Sequence, residues 1–178
     1  GIGEMLKIHF IDGPRSFAEI SAVAAQLSVN RALLQEFTYR SLLIKKRFIE
    51  ADEFDEGERN LLNYGHTIGH ALETATQYGI PHGVAVTVGL DLANYIAFNL
   101  KLVPESIFQQ AHPVLAANYQ GFQRTMPIDR FLEGLAKDKK NEAQRVGFIL
   151  PKPSGGVEKK LMEVSPPLRK IIENYFDK

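Results

Sequence analysis

The sequence predicts a mainly α, multi-helical domain with one small β hairpin, and three observations predict it. Apolar residues recur at three- and four-residue intervals through most of the 178 residues. Only two short stretches, Arg145 to Leu150 and Gly156 to Met162, read as strands, and the Pro151-Lys-Pro-Ser-Gly-Gly156 run between them is turn-forming. With 44% hydrophobic and 24% charged residues, the chain can bury one core, and no linker or internal repeat divides it.

The elements follow in order. Glu4 and Lys7 lie three residues apart on one face of a short helix, where a surface ion pair is the ordinary reading. Ser16-Phe17-Ala18-Glu19 has capping-box spacing, and Phe17, Ile20, Ala24 and Leu27 follow at one-face intervals, so a helix is expected from Ser16. Asn30 is placed to cap the next, with Leu33, Leu34, Phe37, Ile44 and Phe48 as its inner stripe and Arg40 and Arg47 looking outward. The acidic stretch from Asp52 to Glu58 reads as a loop. A third helix is expected from Arg59 to Thr76, ended by Tyr78-Gly79-Ile80-Pro81. The next starts near His82 and is apolar almost all round, the pattern of a central buried helix. Two more are expected after Pro127, on Ile128, Phe131, Leu132 and Leu135, and after Pro166-Pro167, on Leu168, Ile171, Ile172 and Tyr175.

Composition removes several function classes. There is no cysteine, so disulfides, iron–sulfur clusters and thiolate chemistry are excluded, and any metal must use nitrogen and oxygen. Lys plus Arg and Asp plus Glu both total 21, with no basic face of the kind that tracks a phosphate backbone, so no nucleic-acid partner is expected. The most apolar stretch, Val84 to Leu102, is interrupted by Asp91, Asn94, Asn99 and Lys101, which argues for a buried helix and against a membrane span. The first residues carry neither a signal-peptide nor a transit-peptide pattern, and a cytoplasmic protein is the expectation.

The chemistry concentrates in one segment. At 100° per residue, Arg59, Asn63, His66, His70 and Glu73 fall in one stripe, with Leu61, Ile68, Leu72 and Ala75 opposite. A merely solvated face would favour Lys, Glu, Gln and Ala; this one holds an Arg, an Asn and two of the chain's five histidines. Gly65 and Gly69 fall inside the expected helix, each costing about 1 kcal/mol relative to Ala, which points to close approach by backbone or ligand. Histidines at i and i+4 can share a metal or divide the labour of ligation and proton handling, and spacing alone does not choose. His82, at the start of the buried helix, sits where the positive end of the helix dipole favours the neutral imidazole that a metal needs, though a simple capping role fits as well. His9 and His112 have no such context and read as surface or packing residues.

Leu62-Asn-Tyr-Gly-His-Thr-Ile-Gly-His-Ala-Leu-Glu73 closely resembles the signature of the 3-dehydroquinate synthase and sugar-phosphate cyclase family. Gly3-Glu4-Met5-Leu6-Lys7 is similar to the family's Glu-x-x-Lys element, Lys45 to Arg59 to its lysine-to-arginine segment, His82-Gly83 falls at family spacing, and Asp138-Lys139-Lys140 before a Phe-Ile-Leu strand resembles its late basic motif. Ordered matches over some 140 residues are far more specific than any one alone.

The resemblance implies the helical C-terminal metal- and substrate-binding domain over residues 1–178, with the family's N-terminal NAD-binding α/β domain having no counterpart here. It implies Glu4, His66 and His82 as ligands of Zn²⁺, or another divalent metal such as Co²⁺, with NAD held mostly by the N-terminal domain. His70 becomes a catalytic or substrate-binding residue. Lys7, Lys45 (or, with a one-residue slip, Lys46), Arg59, Asn63 and Lys139 or Lys140 match positions that hold the carboxylate, hydroxyls and phosphate of a phosphorylated sugar acid. The implied reaction, the second step of the shikimate pathway, converts 3-deoxy-D-arabino-heptulosonate 7-phosphate to 3-dehydroquinate through transient oxidation by NAD⁺, phosphate elimination, re-reduction and aldol closure. A homodimer is implied by the resemblance alone, and the isolated domain is expected not to turn over.

Val84 departs from the family's usual Glu after His-Gly, and Gly-Ile-Gly-Glu-Met from its usual Ala-Glu-Val-Ile context. Relatives acting on glucose 6-phosphate typically lack the arginine matched by Arg59, so its presence favours a carboxylated substrate. The competing expectations are another cyclase (2-deoxy-scyllo-inosose or 2-epi-5-epi-valiolone synthase), an iron-type alcohol dehydrogenase relative, and a non-catalytic helical binding module.

Overall fold

The computed structural model describes residues 1–54, 57–121, 126–137 and 145–177. Its helices are α1 (Ile2–Asp12), α2 (Pro14–Val23), α3 (Arg31–Ala51), α4 (His66–Ala75), α5 (His82–Asn99), α6 (Glu105–Tyr119), α7 (Ile128–Ala136) and α8 (Pro166–Phe176), with 3-10 turns at Ala24–Gln26 and Glu58–Asn63. Strands β1 (Val146–Pro151) and β2 (Val157–Met162) form an antiparallel hairpin pairing Val146 with Met162 and Pro151 with Val157. This is the mainly α domain with one hairpin that the periodicity predicts.

The all-round apolar sequence of α5 has the expected consequence. Every residue from Ala85 to Ala97 except Val88 is buried, and α4, α6, α1, β1 and α8 pack around it. Two of its polar interior residues are each bonded through one atom, leaving Asp91 Oδ1 and Asn94 Nδ2 without a partner. Asp91, wholly buried, accepts hydrogen bonds through Oδ2 from Tyr119 (2.6 Å), Tyr175 (2.8 Å) and the His112 Nδ1 (2.8 Å), joining α5 to α6 and α8. Asn94 accepts from the Tyr64 hydroxyl at 2.6 Å, which anchors the chain just ahead of α4. No helix among the described residues is long and apolar enough to cross a membrane.

Asn30 caps α3 as its position predicts, its Oδ1 accepting from the Leu33 N–H at 3.1 Å. Other expectations are corrected. Ser16 caps nothing: Pro14 opens α2, and the Ser16 hydroxyl bonds the Nδ1 of His9 at 2.7 Å, so His9 is a buried packing residue. Arg40, half-buried, turns toward α2 and pairs with Glu19, and Leu34 sits at the exposed margin, whereas Arg47 is exposed as expected and pairs with Asp12. The helix α6 has no counterpart in the sequence reading, because Pro113 lies inside it. Its Ala111 and Leu115 nevertheless bury against α5.

The expected helix from Arg59 to Thr76 is broken. A 3-10 turn ends at Asn63, Tyr64 turns out of the helical region at φ −52° and ψ 127°, and Gly65 caps α4 at φ +76°. Gly65 is therefore a left-handed cap that only glycine adopts cheaply. The close approach expected of these glycines is present: a Cβ on Gly69 would lie 3.3 Å from the Ala85 backbone.

Candidate metal centre

Three helix starts meet at one place. Glu4 lies in the first turn of α1, His66 is the first residue of α4 and His82 the first of α5. Missing side chains let them meet. A Cβ on Gly3 would fall 2.3 Å from the Thr87 hydroxyl and 2.6 Å from the Gly83 carbonyl, so α1 rests directly on α5. On the other side, Gly89 of α5 receives the Gly65 carbonyl, which would stand 2.1 Å from an added Cβ.

One ligand atom each from Glu4, His66 and His82 lie mutually within 4.8 Å, and so do atoms of a second set, His70, Glu73 and His82. The three imidazoles cluster, with centroids 5.6 Å apart for His66 and His70, 5.4 Å for His66 and His82, and 6.0 Å for His70 and His82.

The two oxygens of Glu4 have different surroundings. Oε2 faces the Lys7 ammonium at 2.9 Å and the Lys45 ammonium at 3.6 Å. Oε1 is buried without a hydrogen-bond partner and lies 3.4 Å from His66 Nε2. His66 Nδ1 sits 3.3 Å from the Tyr64 carbonyl, which can only accept, so Nδ1 carries the proton and Nε2 presents a lone pair. Burial, reinforced by Lys7 and opposed by Glu4, lowers the His66 pKa from 6.5 to about 4, so the ring is neutral at ordinary pH. Two acceptors thus face each other, an arrangement that a cation between them relieves. One carboxylate oxygen with two imidazole nitrogens is also a donor set suited to zinc with a coordination position left open, so the residues fit the metal.

Around this pair the charges are ordered. Burial pushes the Glu4 carboxyl up, but Lys7 above all, with Lys45 and, once protonated, His66, holds it below its ordinary value. Burial lowers the Lys7 ammonium, and Glu4 draws it partly back. Lys7 is only 3% exposed, so its pairing with Glu4 is part of the cluster and not the surface ion pair expected. Between the two register choices, Lys45 reaches Glu4, whereas Lys46 pairs with Glu50 at 3.5 Å.

Of the sequence-predicted residues, Glu4, Lys7, Lys45, His66, His70 and His82 come together. Arg59 and Asn63 bond within their own segment: the Arg59 guanidinium donates to the Glu53 carbonyl at 2.8 Å, and the Asn63 amide to the Asn60 carbonyl at 3.0 Å. They no longer share a helical stripe with His66, because Gly65 separates them. Lys139 and Lys140 lie outside the described residues. Sequence reasoning gave no role to Glu73, whose Oε1 lies 3.0 Å from His82 Nδ1. The available signal was its place on the His66 stripe, two helical turns along.

Residues 1–141 match the family described as 3-dehydroquinate synthase C-terminal. The chain is 41% identical over 163 residues to the 3-dehydroquinate synthase of Rippkaea orientalis, covering 88% of this chain and 44% of that protein. It is 35% identical over 160 residues to that of Wolinella succinogenes, covering 88% and 45%. Among solved structures, a 2-deoxy-scyllo-inosose synthase complexed with carbaglucose-6-phosphate, NAD⁺ and Co²⁺ superposes with TM-score 0.74 at 23% identity, over 98% of this chain and 51% of that one. A 2-epi-5-epi-valiolone synthase from Streptomyces hygroscopicus with NAD⁺ and Zn²⁺ bound gives 0.74 at 17% identity, over 97% and 50%. At such identities these two speak for the fold. This chain spans less than half the length of the curated relatives it matches. With the signature segment, the helical fold and the family match in agreement, the chain belongs to the 3-dehydroquinate synthase C-terminal domain family.

Proposed function

We propose that this chain is the metal- and substrate-binding domain of a 3-dehydroquinate synthase, working with an N-terminal NAD-binding α/β domain. The net reaction is conversion of 3-deoxy-D-arabino-heptulosonate 7-phosphate to 3-dehydroquinate and phosphate. The observation that carries the metal site is the bare His66 Nε2 facing the partnerless Glu4 Oε1 at 3.4 Å. The second set, His70, Glu73 and His82, is less apt, since a hydrogen bond already satisfies Glu73 and His82.

Glu4, His66 and His82 would hold zinc, or cobalt in its place, which when bound polarises a substrate hydroxyl as a Lewis acid. NAD supplies the transient oxidation and re-reduction. The remaining chemistry belongs to this chain. Lys7 and Lys45 bring two ammonium groups to Glu4 and are placed to hold anionic oxygens of the substrate. His70, exposed beside His66, is placed to take or give a proton through an imidazole nitrogen. Arg59 is assigned the substrate carboxylate, for which its guanidinium would exchange the Glu53 carbonyl, and Lys139 or Lys140 the phosphate. The curated relatives quoted above, all 3-dehydroquinate synthases, support this substrate over glucose 6-phosphate.

The test has two arms. The chain should bind one zinc ion, and His66→Ala or His82→Ala should weaken binding at least 100-fold; zinc bound equally by both variants refutes the site. In the longer polypeptide that the proposal calls for, the heptulosonate phosphate should turn over. Turnover of glucose 6-phosphate instead refutes the substrate.

A further inference from the structure

Each imidazole of the proposed ligand set is gripped from behind, but by different means. His66 Nδ1 meets a backbone carbonyl, that of Tyr64, fixed by the turn into α4. His82 Nδ1 meets a side chain, the Glu73 carboxylate, at 3.0 Å. We infer that Glu73 is a positioning residue: its carboxylate holds His82 as the Nδ1–H tautomer, so that Nε2 with its lone pair is the atom His82 offers to the cation. The inference rests on the reading of Glu4, His66 and His82 as metal ligands.

Three features carry it. Free imidazole side chains in water prefer the opposite tautomer, with the proton on Nε2, and His82 is 51% exposed, so without a fixed acceptor its ring would be held only loosely in the required form. Glu73 is 12% exposed, and a carboxylate can only accept, so the proton between the two groups belongs to His82. The turn after α4 is built to bring them together. Gln77 and Tyr78 adopt left-handed backbone angles, φ 53° and 57°, and the Tyr78 N–H binds the Glu73 carbonyl at 2.7 Å, folding the chain back so that His82 returns to Glu73 nine residues later. Left-handed conformations in two consecutive non-glycine residues are costly, and the reversal they produce sets this contact. Carboxylate acceptors behind metal-bound histidines raise ligand basicity and fix ring orientation, and their loss commonly costs 10–100-fold in metal affinity.

The experiment compares the chain with Glu73→Gln and Glu73→Leu. Long-range ¹H–¹⁵N spectra of the metal-free protein read the His82 tautomer, chelator competition reads zinc affinity, and the visible spectrum of the Co²⁺ form reads coordination number. Wild type should show the Nδ1–H tautomer at His82. Glu73→Leu should revert to Nε2–H and lose about 10- to 100-fold in zinc affinity. Glu73→Gln keeps the shape and an acceptor oxygen, so it should retain the tautomer, most of the affinity and the same Co²⁺ band intensity; if Glu73→Leu fails to fold, the wild-type spectrum decides, and an Nε2–H tautomer at His82 there overturns the inference. Unchanged tautomer and affinity in a folded Glu73→Leu overturn the inference while leaving the metal site intact. Loss in Glu73→Gln as complete as in His82→Ala overturns it by making Glu73 a ligand. A wild-type chain that binds no zinc overturns the metal site and this inference together.

Discussion

Replacing Gly89 by alanine tests how the three helix starts are brought together. Alanine favours an isolated helix over glycine by about 1 kcal/mol, so propensity alone predicts a more stable protein. Packing predicts the reverse. The new Cβ would stand 2.1 Å from the Gly65 carbonyl oxygen, 3.0 Å from its carbon and 3.1 Å from the Gly69 nitrogen, all backbone atoms that no rotamer change can move aside. A tolerable contact requires α4 and α5 to separate by about 1 Å or more. The Gly65 carbonyl is also the first acceptor of α4, taking the Gly69 N–H at 2.8 Å, so separation strains that bond as well. Overpacking of this kind costs about 1–3 kcal/mol and more where backbone must shift, and the clash here belongs at the top of that range. After the propensity gain of about 1 kcal/mol, a net loss of about 2 kcal/mol is expected, or a fall in Tm of roughly 4–8 °C for a chain of this size. Because Gly65 directly precedes His66, zinc affinity should drop at least tenfold, since a site displaced by about 1 Å no longer holds its ligands. Urea unfolding and chelator competition measure the two effects. Gly83→Ala is the control: its nearest neighbour, the Gly1 nitrogen, is 3.8 Å away, so stability should stay within about 1 kcal/mol of wild type. A Gly89→Ala chain that is more stable than wild type and binds zinc normally would refute the close-approach argument.

Three further outcomes are expected. Acid should destabilise the metal-free chain: His66 protonates near 6.5 when unfolded but at about 4 when folded, so below pH 6.5 the unfolded chain gains protons the folded one refuses. Glu4, held below its ordinary value, adds a loss in the same direction as pH falls through its folded pKa; urea unfolding at pH 7 and 4.5 should differ by about 2–3 kcal/mol, and equal stabilities would refute the His66 environment. Asp91→Ala leaves the Tyr119 and Tyr175 hydroxyls and the His112 Nδ1 without their shared acceptor, and should cost about 3 kcal/mol with early loss of α8 in hydrogen exchange. Asn30→Ala should cost about 1 kcal/mol by thermal unfolding, all of it from the start of α3, with zinc affinity unchanged.

The sequence by itself determined the helical class, the hairpin, the central place of α5 and most of the residues that gather at the site. The elements depend on local periodicity and turn-forming residues, while the site residues came through the family resemblance, whose motifs are spread along the chain from Glu4 to His82. It misjudged what depends on neighbours distant in sequence. Ser16 satisfied a local capping rule, yet His9, seven residues away on another helix, claimed its hydroxyl. A continuous 100° pattern from Arg59 to Thr76 hid the break at Gly65, because a left-handed glycine leaves the periodicity on either side intact. Only the tertiary structure decided that Lys7 is buried, that Lys45 and not Lys46 reaches Glu4, and that Glu73 stands behind His82. Each of these depends on how separate turns and helices pack: glycines let α1 rest on α5 and α4 on α5, α3 brings Lys45 to Glu4, and the left-handed turn at Gln77 and Tyr78 returns His82 to Glu73.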